Sequence, residues 1–400
     1  MPGVFRLLFS TFGLFAAASA QTIVILPFTN RSDTPNVDWI GESLAENLRE
    51  VLYADGFLAL DRKSREEGYR RLSLRPGAEL TKASILKIGE ELDADRVISG
   101  GFEIEEMEDE QSSTASTLSI SAQVIERTQL RQSLPFKVAG RLEDLPGLQH
   151  RLARQIEDYL GGGSQPALGR ARPKAVRLDA MENYIRGLMA DDPDKKHRFF
   201  TQAARLDEGY SQPRFQLGKL NWERKNYRVA AGWLERVSRG DPNFGEALFF
   251  IGLSRYHLGE YERAAAAFWE AAELVPLNEV WNNLGAAQSR LNRPEALESF
   301  RRALEGDPLD ATYNFNTGCA LWRKGEYEQA ADRFRAVLDS RPEDSTAMTM
   351  LGRCLKRTGP ARSETRVQTL ERLKLNYAEL AYRQLQASLA KKGAGAKEQR

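Results

Sequence analysis

A chain of 400 residues has room for two or three domains, and 42% hydrophobic with 28% charged residues excludes a disordered or fibrous polymer. The net charge of +1 hides an asymmetry: residues 21–160 carry 17 basic against 25 acidic groups, residues 161–400 carry 39 against 31, and Arg6 supplies the last charge. No dense Lys/Arg stripe of the kind nucleic acid selects is present. Two cysteines rule out a disulfide framework and a multi-cysteine zinc site, and His150, His197 and His257 stand too far apart in sequence to suggest a local metal cluster.

Arg6, the apolar run Leu7–Ala18 and the small-x-small triplet Ala18-Ser19-Ala20 form the pattern of a cleavable secretory signal over 1–20. The run is short for a bilayer, which takes about 20 apolar residues. No cysteine follows the cleavage point to carry a lipid. The expected location is a bacterial periplasm, with no membrane span after cleavage.

Residues 21–160 read as an α/β domain with a mixed sheet. Thr22–Phe28 is a nearly continuous apolar, β-branched run, as in a strand covered on both faces. Asp38 then opens a helical stripe of Trp39, Ile40, Leu44, Leu48, Val51 and Leu52. A short strand follows at Phe57–Leu60, with helices over Ser64–Leu72 and Lys82–Leu92. Arg96–Ile104 starts a strand running into the acidic stretch Glu103–Glu110. Leu118, Ile120, Ala122 and Val124 alternate with polar residues, giving a strand covered on one face. A turn at Thr128–Gln129 leads into Leu130–Ala139, and Leu142–Leu160 closes the domain as a helix. The six acids of Glu103–Glu110 lack the spaced Asp/Asn-Gly pattern of a calcium loop and read as a solvated hairpin tip.

The run Val24-Ile25-Leu26-Pro27-Phe28-Thr29-Asn30-Arg31-Ser32, followed by Trp39-Ile40-Gly41-Glu42-Ser43-Leu44-Ala45-Glu46, resembles the TolB amino-terminal-like domain. So do Ile88–Asp95 leading into Val97-Ile98-Ser99-Gly100, and Ala122-Gln123-Val124-Ile125. The resemblance implies an α/β sandwich without a catalytic site, related to envelope-assembly and secretion accessory domains. Fold transfers along such a likeness better than function does.

The glycine- and proline-rich stretch 161–174 reads as a flexible linker. It lacks the Gly-Lys-Ser/Thr ending of a phosphate loop. Beyond it, Gly218, Gly252, Gly285, Gly318 and Gly352 recur at gaps of 34, 33, 33 and 34 residues. Pro242, Pro276, Pro308 and Pro342 keep step. Residues 175–362 therefore resemble tetratricopeptide repeats, helix pairs that bury their apolar faces only by stacking. Leu217, Leu284 and Leu351 precede the glycines, while Ala264, Ala296 and Ala330, then Phe268, Phe300 and Phe334, fill the second-helix positions. An all-α solenoid is expected, with a shortened first repeat at Tyr184, Gly187, Phe200 and Ala203. A capping helix over 363–390 (Val367, Leu370, Tyr377, Leu380) and a disordered tail at 391–400 follow.

In such repeats the first helix of each pair lines a concave groove. The resemblance places Phe215, Trp222, Phe249, Tyr256, Phe315 and Trp322 there as exposed apolar anchors, with Arg290, Arg323, Arg353 and Arg357 as readers of acidic groups. The alternative reading is that some of these rings are core packing or are covered by neighbouring segments. The same register includes Lys219, His257, Asn282, Ser289 and Cys319. The asparagine–lysine clamp that some of these repeats use for a carboxy-terminal carboxylate is not reproduced. Cys319 and Cys354 fall in neighbouring repeats one helical position out of register, which favours two buried thiols over a bond.

The expected function is a non-enzymatic adaptor: a groove for a protein or peptide partner with acidic segments, joined flexibly to an α/β docking domain, in envelope-complex assembly or regulation. No catalytic residue, cofactor, metal or nucleic acid enters this reading. Two alternatives stay open: a ligand- or nucleotide-sensing regulator, and a self-assembling structural subunit of a secretion apparatus.

Overall fold

Strand β1 (Thr22–Ile25) lies at the centre of a parallel trio, between β3 (Leu58–Ala59) and β4 (Arg96–Met107), where Val24 pairs with Val97 and Ile23 with Ala59. Pro27 has no N–H to give the ladder, so the strand breaks and resumes as β2 (Thr29–Asn30), which rejoins β4 at Gly101 and Phe102. Helix α1 (Asp38–Ala54) returns the chain to β3. Helices α2 (Arg62–Arg71) and α3 (Lys82–Glu91) follow, opened by caps in which Asp61 and Thr81 accept from the backbone N–H of Ser64 and Ser84. Strand β4 then pairs antiparallel along its length with β5 (Ala115–Glu126). The short β6 (Arg131–Gln132) and β7 (Phe136–Arg141) add to the far side of β5, and α4 (Leu145–Leu160) closes the domain.

The sheet is mixed, as the apolar run and the alternating strand require, and each face buries a separate core. Helices α1 and α4 cover one face through Ile40, Leu44, Leu48, Leu148 and Leu152; α2 and α3 cover the other through Tyr69, Ile85 and Ile88. Four aliphatic residues of α1 (Ile40, Leu44, Leu48, Leu52) are at most 1% exposed. Their burial contributes roughly 6–12 kcal/mol before the entropy of ordering them.

The computed structural model describes residues 22–55, 57–75, 79–107, 115–161, 176–360, 371–378, 381, 382 and 385. The signal over 1–20, linker residues 162–174, the acidic residues 108–110, the tail 391–400, and Val367, Leu370 and Leu380 lie outside them.

From residue 178 the chain is helical: α5 (Leu178–Met189), α6 (Pro193–Leu206), α7 (Ser211–Glu223), α8 (Tyr227–Leu234), α9 (Phe244–His257), α10 (Tyr261–Leu274), α11 (Asn278–Arg290), α12 (Ala296–Gly306), α13 (Ala311–Lys324), α14 (Tyr327–Ser340) and α15 (Ser345–Leu355). Consecutive helices pack as antiparallel pairs, and the pairs stack into a solenoid. The recurring glycine explains the pairing. A Cβ added at Gly252 would sit 2.5 Å from the Phe268 ring, one at Gly285 2.7 Å from Phe300, and one at Gly318 3.0 Å from Phe334. In these pairs the second helix thus presses an aromatic ring onto the bare backbone of the first.

Linker residues 162–174 lie outside the described residues, but the two halves they connect pack against each other. One apolar core runs from α1 and α4 through Ala180, Met181, Tyr184, Ile185, Phe200 and Tyr210 to Leu217. Polar contacts reinforce it: the Ser43 hydroxyl donates to Met181 Sδ at 3.2 Å, Arg186 donates to the Asn36 carbonyl at 3.0 Å, and Gln212 donates to the Glu50 carboxylate.

Residues 371–374 depart from expectation. They are not helical, unlike the helix expected over 363–390, although residues 381, 382 and 385 within that span are; the backbone of residues 371–374 lies against α11 and α13. The reason is nonlocal: side chains on α11 and α13 supply hydrogen bonds that a helix would have made internally.

Candidate functional site: an occupied groove

Three asparagines form the floor of the groove. Asn282 and Asn283 on α11 and Asn316 on α13 are fully buried on helices that otherwise bury apolar surface, so each amide needs partners. They find them in the backbone of the carboxy-terminal segment. Asn316 Nδ2 donates to the Arg372 carbonyl at 2.8 Å, and its Oδ1 accepts from the Arg372 N–H at 2.8 Å. Asn283 does the same for Lys374, at 2.8 Å in both directions. Asn282 donates to the Arg372 carbonyl at 3.0 Å and accepts from Asn316 at 2.7 Å, tying the two repeats together. An extended backbone presents both its donor and its acceptor at alternate residues. Two amides one repeat apart therefore bind residues two apart, whatever their side chains.

Side chains add register. Asp310 and Asp344 cap α13 and α15, accepting from the first backbone N–H groups of those helices. Each also faces the groove. Asp344 takes the Arg372 guanidinium through two contacts of 2.6 and 2.8 Å, and this pairing holds its carboxyl below the usual carboxylate range. Asp310 pairs with Lys374 Nζ at 2.5 Å. The same cations lie over rings, Arg372 3.5 Å from the centre of Phe315 and Lys374 4.8 Å from that of Tyr313. Glu371 is buried and accepts from Ser289 at 2.7 Å and from Arg323. Further along, Tyr377 meets Phe249 edge-to-face at 5.3 Å, and Glu279 accepts from the Ala378 N–H at 3.1 Å. Tyr382, buried against α9 beside Gly245, follows.

Beyond Tyr382 the groove opens into a cleft of about 320 Å³ between α1 and α2 on one side and α5, α7 and α9 on the other. Glu46, Arg49 and Glu50 line it with Lys219 and Glu246. Burial pushes the Glu50 carboxyl up to about 7, with Glu46 and Asp241 adding to the shift and Arg49 and Gln212 opposing it.

Of the ten residues expected in the groove, Phe249, Phe315 and Arg323 touch this segment. The aromatic anchors are not exposed as expected: Phe215, Phe249, Tyr256, Phe315 and Trp322 are all buried. Helix stacking covers some of them and the segment covers the rest. Trp222 packs among Tyr227, Phe250 and His257, where burial lowers the imidazole pKa. The Trp322 indole donates to the Thr358 carbonyl at 2.7 Å, with Arg353 over its ring. Arg290 donates to the Tyr261 hydroxyl at 2.7 Å, and Arg357 pairs with Glu328 on an exposed surface. Arg323 does read an acid, Glu371, while the segment's two cations meet Asp344 and Asp310. Asn283 and Asn316 escaped the sequence reading. Their signal was present: they stand 33 residues apart, at the same place before Gly285 and Gly318. Cys319 and Cys354 are free and buried.

The tetratricopeptide repeat profile matches residues 215–279, 286–328 and 315–359, the helices that build this groove. Residues 215–279 and 286–359 thus match tetratricopeptide repeats. Among curated proteins, the human cell division cycle protein 16 homolog is 29% identical over 169 residues, covering 40% of this chain and 27% of that protein. Mouse superkiller complex protein 3 is 26% identical over 194 residues, covering 45% of this chain and 12% of its own length. The chain thus spans about a quarter or less of the relatives it matches. Among solved structures, YrrB, described as a TPR protein with an unusual peptide-binding site, is 22% identical over 43% of this chain and 91% of its own, with a TM-score of 0.40. MamA from Desulfovibrio magneticus RS-1 is 22% identical over 43% of this chain and all of its own, with a TM-score of 0.38. Among the described residues no helix is long and apolar enough to cross a membrane, and no cluster of metal-ligating side chains occurs.

Proposed function

We propose that this protein is a non-enzymatic adaptor whose tetratricopeptide-repeat groove binds an extended segment of a protein partner. The observation that carries this reading is the pair of asparagine amides, Asn283 and Asn316, each hydrogen-bonded to both the N–H and the C=O of one residue in an extended chain. That arrangement recognises main chain and needs no chemistry beyond binding. The leader at 1–20 supports a periplasmic location. The TolB-like segments Val24–Ser32 and Trp39–Glu46 support a second docking role for the sheet domain in envelope-complex assembly.

The test is crosslinking in the host's envelope fraction, with the mature chain carrying Arg372→Glu and Lys374→Glu, which frees the groove of its own segment, as one bait and that chain further carrying Asn282→Ala and Asn316→Ala as the other. Both baits are first checked for native helicity. A partner captured by the first bait and lost from the second supports the groove as the binding site. Identical capture by both assigns binding to another surface and refutes the reading.

A further inference from the structure

The segment in the groove belongs to the chain itself, and its contacts define what the groove selects. Four features are fixed in order along residues 371–377. An acid meets Ser289 and Arg323; the next residue, an arginine, meets Asp344 and the Phe315 ring. Two residues on, a lysine meets Asp310 and the Tyr313 ring, and three further on an aromatic meets Phe249. Asp310 and Asp344 are 34 residues apart, one repeat, and so recur along the groove as the cations do along an extended strand.

We propose that residues 371–378 are an internal competitor for the groove, and that the partner carries the same pattern (acid-Arg-x-Lys-x-x-aromatic) and binds by displacing them. This rests on the groove reading above. Charge complementarity commits the occupant: a wholly acidic segment would set carboxylates against Asp310 and Asp344, whereas a segment with two cations two residues apart satisfies both. The tether is short, ten residues from Pro360 to Glu371. It holds the segment at an effective concentration on the order of 1 mM, so a segment that binds in trans at about 10 μM is closed in cis about a hundredfold over open. The expected partner therefore competes by local concentration or by contacts extending into the cleft beyond Tyr382.

The test uses the full mature chain and a release variant, Arg372→Glu with Lys374→Glu, whose reversed charges face Asp344 and Asp310 while the asparagines remain. Cys319 reports on opening. It lies on α13 one turn from both Phe315 and Arg323, which hold the segment, and it is buried with Glu371 and Arg372 close by. A Cys354→Ser background makes it the sole thiol. The probe is a fluorescent peptide with the sequence of residues 369–380, and its control carries glutamate at both basic positions.

The expected result is faster Cys319 labelling in the release variant. Probe binding should be at least tenfold tighter to that variant than to the unaltered chain, with the control peptide silent. Equal probe binding to both proteins would overturn the internal competition while leaving the groove as a peptide site. No binding to a variant whose thiol has opened would overturn both readings. Unchanged labelling with native helicity would show that the two cations do not hold the segment, and the proposal fails. An unaltered chain that is dimeric by light scattering, beside a monomeric release variant, would place the segment in a second copy's groove and overturn the contact in cis.

Discussion

Asn316→Ala is the sharpest test of what holds the segment in place. The side chain is fully buried and makes three hydrogen bonds, two to the Arg372 backbone and one to Asn282. Each hydrogen bond is worth about 1 kcal/mol net, and a buried group left unpaired adds to the loss. Docking of residues 371–378 should therefore weaken by about 2–3 kcal/mol, or roughly 30- to 150-fold in the open population. Native-state hydrogen exchange reads this residue by residue. The Arg372 amide loses its acceptor directly and is a poor witness. The Lys374 amide keeps its own acceptor, Asn283, and is the informative probe. Its protection should fall by the full factor, while amides within α10 and α14 keep theirs. If Lys374 stays protected, the asparagines do not act together on one docked segment. If α14 loses protection equally, Asn316 supports the solenoid rather than the segment. Either result refutes the reasoning.

Gly252→Ala should destabilise the protein by about 1–3 kcal/mol, because its Cβ would meet Phe268 at 2.5 Å, whereas Gly232→Ala, with nothing within 4 Å, should stabilise it by up to about 1 kcal/mol; urea midpoints compare them. Phe249→Ala should cost about 3–5 kcal/mol in thermal or urea unfolding, since the ring is buried core as well as a contact of Tyr377. Glu50, raised by burial to about 7, holds its proton in the folded state after the unfolded chain has released it. Its contribution to stability is thus complete below about pH 4.5 and lost as pH rises towards 7, an effect of roughly 1–3 kcal/mol. Glu50→Gln should flatten that slope in urea titrations run from pH 4.5 to 8.

Local patterns sufficed wherever local forces decide. The alternation of Leu118, Ile120, Ala122 and Val124 specified one covered face of β5, and the glycine period specified the repeats, because each depends on neighbours one turn or one strand away. Residues 371–374 were misread, although 381, 382 and 385 are helical, because the sequence here holds two periods. Val367, Leu370, Tyr377 and Leu380 suit a helix, whereas Arg372 and Lys374 alternating with Leu373 and Leu375 suit an extended chain. Only the amides on α11 and α13, more than fifty residues away in sequence, decide between them. The aromatic anchors failed for the related reason that a position facing the groove says nothing of what already fills it. The union of the two halves was equally hidden, since Ser43, Glu50, Met181 and Gln212 look like ordinary helix residues until they meet.

The apolar core that runs unbroken from α1 into α5 gives the solenoid an unusual beginning. A stack of helix pairs normally ends in a helix whose outer face is polar, because an unsealed end is sticky. Here the stack starts directly against a sheet domain, and α5 turns Ala180, Met181, Tyr184 and Ile185 toward it. An excised repeat array beginning at residue 176 would expose that surface and should self-associate. The sheet domain is in effect the solenoid's lid at that end, and repeats can be gained or lost only farther along the stack.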